Sequence, residues 1–330
     1  MARIFIDGFE SGGLENWNSK SAGAGVTAAG GGMSGSYCLD IDGTYEYVFK
    51  ILPATKTTLY VAFKYSSQST VGGGTIIQFL DSAGTEILCV IRNTTSGYLE
   101  IRRGNRSGTL LDTGTTYIAV NTTWLIEVYY VPLNSGGAVQ LKVNNNPVEA
   151  EFSGDTTGGE ELINSVRFGD TGTYSRCYID DIVIDDADWI GPTRIQGLVP
   201  TGAGTTTQWD PSAGSNYACV DERPASDSDY VSTNVTDEID TYATGDMTGT
   251  IDSIKCVQIQ ARCGKDGVPT PTQLQLAVRS GGTNYFSASK AVPSVFGVPV
   301  WAIWEDNPAD SADWEEADVN AMEIGIKAAA

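Results

Sequence analysis

Apolar and polar side chains alternate one for one along much of this chain, and that period restricts it more than any other feature. Leu59, Val61, Phe63 and Tyr65 fall on one side of an extended backbone, with Tyr60, Ala62 and Lys64 on the other. A period of two fits a strand with one dry face, and a helix cannot present it as a single stripe. The same reading groups Ile87, Cys89 and Ile91 against Glu86, Leu88 and Arg92, and Leu99 and Ile101 against Glu100 and Arg102. Trp124, Ile126, Val128 and Tyr130 form a further apolar face, as do Val139, Leu141 and Val143. Asn144-Asn145-Asn146-Pro147 then signals a turn, because Asn tolerates positive φ. The 38 glycines supply many more turn positions.

At 330 residues the chain is long enough for two domains. The first half closes on an apolar-acidic strand, Tyr178 to Asp186, followed by Gly191-Pro192, a strong punctuator. A boundary is expected within 187–196, giving domains of 1–190 and 191–330. In the second half, strands are expected at Ser253–Cys263, Thr272–Arg279, Val298–Trp304 and Met322–Lys327. Asp313 followed by Glu316 has capping-box spacing and predicts one short helix over Trp314–Asn320. The expected fold class is all-β: two β-sandwich, jelly-roll-like domains in series, with one short helix near the C-terminus.

Lys and Arg total 20 against 41 Asp and Glu, a formal charge of −21. Such a surface repels phosphate backbones and anionic membranes, so neither nucleic acid nor membrane is an expected partner. No stretch approaches the roughly 18 apolar residues of a membrane helix, and the N-terminus lacks a signal-peptide pattern. Synthesis in a cytosol is therefore expected. Under reducing conditions Cys38, Cys89, Cys177, Cys219, Cys256 and Cys263 are expected as thiols. There is no histidine, which removes Ser-His-Asp and Cys-His catalysis and the usual base near neutral pH.

Two segments carry resemblances. Ile4-Phe5-Ile6-Asp7-Gly8-Phe9-Glu10 and Tyr178-Ile179-Asp180-Asp181-Ile182-Val183-Ile184-Asp185 resemble the first and last strands of laminin-G-like, or concanavalin A-like, jelly rolls. The resemblance covers about residues 1–190 and implies that the two strands pair. The second half, through Val199 to Gly204, Gln208-Trp209-Asp210-Pro211, Gly214 to Tyr217, Val220 to Glu222, Trp304 to Pro308 and Val319 to Gly325, is similar to a module of tailed-bacteriophage structural proteins. It implies a non-enzymatic virion component.

Retaining glycosidases on concanavalin A-like folds place two carboxylates about 5–5.5 Å apart. The first half lacks their E-apolar-D-x-x-E pattern, and Glu238-Ile239-Asp240 lacks the following Glu. No catalytic residues are assigned and no cofactor is expected. Ca²⁺ is the one metal weighed, with Asp180, Asp181 and Asp185 as oxygen ligands; the alternative is an exposed acidic strand face. Tyr45, Tyr98 and Tyr174 lie near turns and are the candidates for stacking on sugars. Trp301, Trp304 and Trp314 are the candidate interface, the alternative being that they fill the second core. The expectation is a virion structural protein, a capsid decoration or head-fibre component. It would partner other virion proteins and form a homo-oligomer, plausibly a trimer. The alternatives are a tail-fibre component binding a host glycan and a carbohydrate-active enzyme.

Overall fold

The structure, a computed structural model, describes residues 3–28, 33–69, 74–169, 176–265, 271–297 and 299–330. It is all-β but for a single turn of 3-10 helix and one short α-helix near the C-terminus, among the described residues. The chain divides into a unit ending at Ile195 and a second starting at Gln196.

The first unit is a sandwich of two antiparallel sheets. The seven-stranded sheet runs, edge to edge, through Thr109–Tyr117, Tyr98–Arg103, Glu86–Arg92, Thr75–Leu80, Ile163–Gly169, Tyr47–Lys56 and Ser19–Lys20. The opposing sheet has eight strands, with Leu59–Ser67 and Cys177–Asp185 at its centre. The core lies between them. Leu59, Val61, Phe63, Ile126, Val128 and Tyr130 meet Ile77, Phe79, Leu88, Val90, Val166 and Phe168. Phe63 packs edge-on to Phe168, ring centres 5.2 Å apart, and Phe79 lies 5.0 Å from Tyr130. The first strand, Arg3–Asp7, pairs antiparallel with Cys177–Asp185, placing Phe5 opposite Ile184. Asp7 at its end accepts hydrogen bonds from the Phe9 N–H (2.9 Å) and Trp17 Nε1 (2.8 Å), which fixes the chain reversal.

Ile87, Cys89 and Ile91 do not share the apolar face; Leu88 and Val90 do. A register shift against Thr75–Leu80 sets two residues opposite one, so Ile87 also turns inward. Cys89 and Ile91 are left facing away from the core.

Residues 187–195 stay with the first unit. Trp189 packs edge-on to Tyr60 (5.6 Å) and against Tyr129 (6.1 Å), with Lys142 Nζ 3.8 Å over its ring. Glu127 accepts the N–H groups of Ile190 and Gly191, and Asp181 accepts that of Ile195. The separation therefore falls at 195/196, three residues beyond Pro192.

In the second unit a six-stranded sheet, whose central strand is Glu323–Ala329, packs against the two-stranded ribbon of Val257–Ala261 and Val300–Trp304. The helix spans Glu316–Ala321, with Glu315 as its N-cap and Asp318 accepting the Glu315 N–H. It starts two residues later than the Asp313 spacing suggests. Asp313 and Glu316 are not the capping pair, because Trp314 is drawn into the core and pairs with Ile254.

Candidate functional site

The face of the seven-stranded sheet that points away from the core carries a transverse row of side chains. Strand register aligns Phe49, Arg167, Gln78, Cys89 and Arg102 across five neighbouring strands. Three strand spacings of about 4.8 Å set Arg167 and Arg102 roughly 14 Å apart. Arg167 is clamped: its guanidinium lies 4.9 Å from the Tyr47 ring centre and 5.8 Å from that of Phe49. Its Nη1 donates to Gln78 Oε1 and to Glu86 Oε1, each at 3.1 Å. Burial pushes the Glu86 carboxyl up, and the Arg167 charge works against that shift.

This face carries polarity that folding alone does not require. Thr75 Oγ1, Glu86 Oε2, Ser165 Oγ and Arg167 Nε are buried with no hydrogen-bond partner among the described residues. Each such atom costs on the order of 1–3 kcal/mol. Departures of that kind concentrate at functional sites.

At the other end of the row lies a pocket of about 180 Å³, lined by Arg92, Arg102 and Arg106 together with Asn93 and Thr94. Arg92 Nε donates to Ile118 O (3.1 Å). Arg102 grips Glu100 Oε2 through Nε and Nη2, at 2.8 and 2.6 Å, and Gly108 O through Nη1 at 3.1 Å. Asn93 Nδ2 donates to the other oxygen of Glu100. Tyr98 is on the same strand face as Glu100 and Arg102. Its ring stands edge-on to that of Tyr117, 6.4 Å away, and Tyr117 is exposed. Gly97, at φ +73°, makes the pair possible, because a Cβ there would come within 2.4 Å of the Tyr117 ring.

The sequence singles out Tyr45, Tyr98 and Tyr174. Tyr98 belongs to this face. Tyr45 is 63% exposed in the loop before Tyr47–Lys56, and Tyr174 lies outside the described residues. The residues that sequence reading missed are Tyr47, Phe49, Gln78, Arg167 and the arginines. For the arginines a signal was present: residues 92–106 hold Arg92, Arg102, Arg103 and Arg106 with Glu100 as the sole acid, inside a strongly acidic chain.

Asp180, Asp181 and Asp185 are not an exposed acidic face; each is at most 2% exposed. Between Asp180 and Val183 the strand gains one residue over its neighbour, and Asp181 takes φ +49°. That bulge turns Asp181 toward Lys64 Nζ (2.8 Å) and the Ile195 N–H (2.7 Å). Asp180 accepts the Ser34 and Asp181 N–H groups, while Asp185 accepts that of Ala187. Burial, and then the adjacent Asp181, raises the Asp180 pKa. Among the described residues no three His, Cys, Asp or Glu side chains are grouped to hold a metal ion. Of the candidate interface tryptophans, Trp314 is buried, with Nε1 donating to Trp304 O, and Trp304 packs against the same core. Trp301 alternates with Val300 and Ala302, which pack inward, so it faces the other side of the ribbon.

No known protein family and no curated protein matches the chain. Among solved structures it is similar to a sialidase, at 17% identity and TM-score 0.42, over 56% of this chain and 19% of that one. It is similar to a Bacillus subtilis protein of unknown function with a galectin-like fold, at 11% identity and TM-score 0.40, over 58% and 98%. A third is the carbohydrate-binding module CBM66 from Bacillus subtilis, at 7% identity and TM-score 0.35, over 52% and 96%. The chain thus spans about a fifth of the sialidase.

Proposed function

We propose that this chain is a non-enzymatic glycan-binding protein whose receptor surface is the outward face of the seven-stranded sheet. The observation that carries the reading is the clamped Arg167. A guanidinium held between two aromatic rings, an amide and a carboxylate is a fixed, planar hydrogen-bonding group beside apolar ring faces. Sugars present hydroxyls around their rims and C–H groups on their flat faces, so they need that combination. Because its protein partners already orient Arg167, a ligand would pay little ordering entropy for contacting it. The absence of histidine fits binding better than turnover.

The setting rests on the resemblance of the second half to bacteriophage structural modules. On that resemblance we place the chain in a virion, as a capsid decoration, head-fibre or tail-fibre component, self-associating and partnered by other virion proteins. Mass spectrometry of purified virions from the source phage tests the setting. A glycan array probed with the full chain tests the binding. Binding that Arg167→Ala weakens at least tenfold, with the fold kept, is expected; an array with no bound glycan rejects the reading.

A further inference from the structure

A lysine stands in the core of the first unit where the strand pattern asks for an apolar side chain. Val48, Lys50 and Leu52 alternate inward along Tyr47–Lys56, and all three are buried. Lys50 Nζ lies 4.1 Å from the Phe5 ring centre and donates to the main-chain carbonyl of Asn16 at 2.6 Å. Asn16 is buried too. Its side-chain amide donates to the Asp7 carboxyl, and its Oδ1 has no hydrogen-bond partner among the described residues. Asp7 also accepts the Phe9 N–H and Trp17 Nε1, which fixes its orientation. An amine, a carboxamide and a carboxyl thus share one dry site walled by Phe5, Phe9 and Trp17.

We infer that Lys50 and Asn16 join in the folded chain as an internal amide cross-link, with Asp7 as the acid–base group. The neutral Lys50 amine attacks Asn16 Cγ, and an Nζ–Cγ bond forms. Nζ gives one proton to the Asp7 carboxylate. Asp7 passes it to the Asn16 amide nitrogen, to which it is already hydrogen-bonded. The Cγ–Nδ2 bond breaks and ammonia leaves. Asp7 is regenerated, the new amide keeps one hydrogen, and nothing is oxidised or reduced.

The surroundings suit that step. Burial lowers Lys50 to about 8 and raises Asp7 to about 6. A share of the amine is therefore neutral near physiological pH, and a proton passes between the two groups at small cost. A buried oxygen without a partner, such as Asn16 Oδ1, asks for a role beyond folding. The aromatic wall keeps out water, which would compete for Cγ. The structure shows the groups before reaction: Nζ must leave the Asn16 main-chain carbonyl and swing to Cγ of the same residue. Once acylated, Lys50 has no ammonium to titrate. The bond would tie the turn after the first strand to the seven-stranded sheet, across 34 residues of sequence. It would survive reducing conditions, under which the six cysteines stay free.

The test is peptide mass spectrometry on the full chain, reduced, denatured and digested with trypsin. A branched peptide is expected, with residues 4–20 joined through Lys50 to residues 21–56. It should weigh one ammonia less than the two fragments together, with fragment ions placing the bond at Asn16. Asp7→Asn keeps both reacting groups and should give the two fragments unjoined, while Asp7→Glu should restore part of the cross-link. Unjoined fragments from the wild-type chain, even after incubation in mild alkali, overturn the inference. Loss of water in place of ammonia moves the bond to Asp7 and overturns the assignment of Asn16. A full cross-link in Asp7→Asn overturns the acid–base role.

Discussion

Lys64 Nζ lies 2.8 Å from Asp181 Oδ2, and this pairing joins the two central strands of the eight-stranded sheet at a bulge. The carboxylate is almost wholly buried and the ammonium is partly exposed. Asp180 sits beside it, also buried.

Lys64→Met should therefore leave two adjacent buried carboxylates without their cation. Breaking a buried pair from one side costs about 3–5 kcal/mol. Partial exposure of Lys64 brings the expected loss to about 3 kcal/mol, measured by denaturant unfolding. A loss under about 1 kcal/mol, typical of an exposed pair, would show that solvent already supports Asp181.

Acidity should affect the first domain in an unusual direction. Burial raises Asp7 from 3.8 to about 6, against the opposing pull of its Phe9 and Trp17 hydrogen bonds. A carboxyl whose pKa is higher folded than unfolded contributes stability that is complete below the unfolded value and is lost as pH rises through the folded one. From pH 5 to pH 7.5 the domain should lose about 1 kcal/mol on this account. Asp180, raised in the same sense, adds to the loss. Burial lowers Lys50 to about 8, so stability should recover as pH rises from there toward 10.5. Asp7→Asn should flatten the acid side of the curve even if it lowers the whole of it. An unchanged slope would remove Asp7 as its source.

Gly97→Ala should displace Tyr117. The position has φ +73°, and the new methyl would meet the ring. About 1–2 kcal/mol of stability should go. On the glycan array the variant should lose affinity with Tyr98 still present. A variant with wild-type affinity would show that Tyr117 plays no part in the binding face.

The tryptophans of the second domain should separate by role. Trp314→Ala empties a buried site and should cost about 3–5 kcal/mol. Trp301→Ala should cost well under half of that, since its ring faces away from the core. If the chain self-associates through this ribbon, Trp301→Ala should dissociate it in analytical ultracentrifugation without unfolding it. Equal thermal destabilisation by both substitutions would make all three tryptophans core residues.

Alternation was a sound guide wherever register was regular. Leu59 to Tyr65 and Val139 to Val143 point inward as their period predicts. It misled at Cys89 and Ile91, because an extra residue at Ile87 changes which neighbours share a face, and a bulge leaves no mark in hydropathy. The acidic run 180–186 reads as solvated because carboxylates usually are. Only the tertiary position of Lys64, 116 residues earlier than Asp180, tells otherwise. The proposed binding face was the least legible part. Tyr47, Gln78, Arg167 and Arg102 are scattered over four strands and become neighbours only through strand order, which one sequence does not state.

The clasp formed by residues 187–195 has a practical side. Its backbone N–H groups serve Glu127 and Asp181, two carboxylates that the sandwich buries. A first-domain fragment ending at residue 190 would deprive both of donors they use in the intact chain. It would behave as a damaged protein, and its failure to bind or to stay soluble would be misread as a property of the domain. Cut after 195, the same sandwich would keep its own latch.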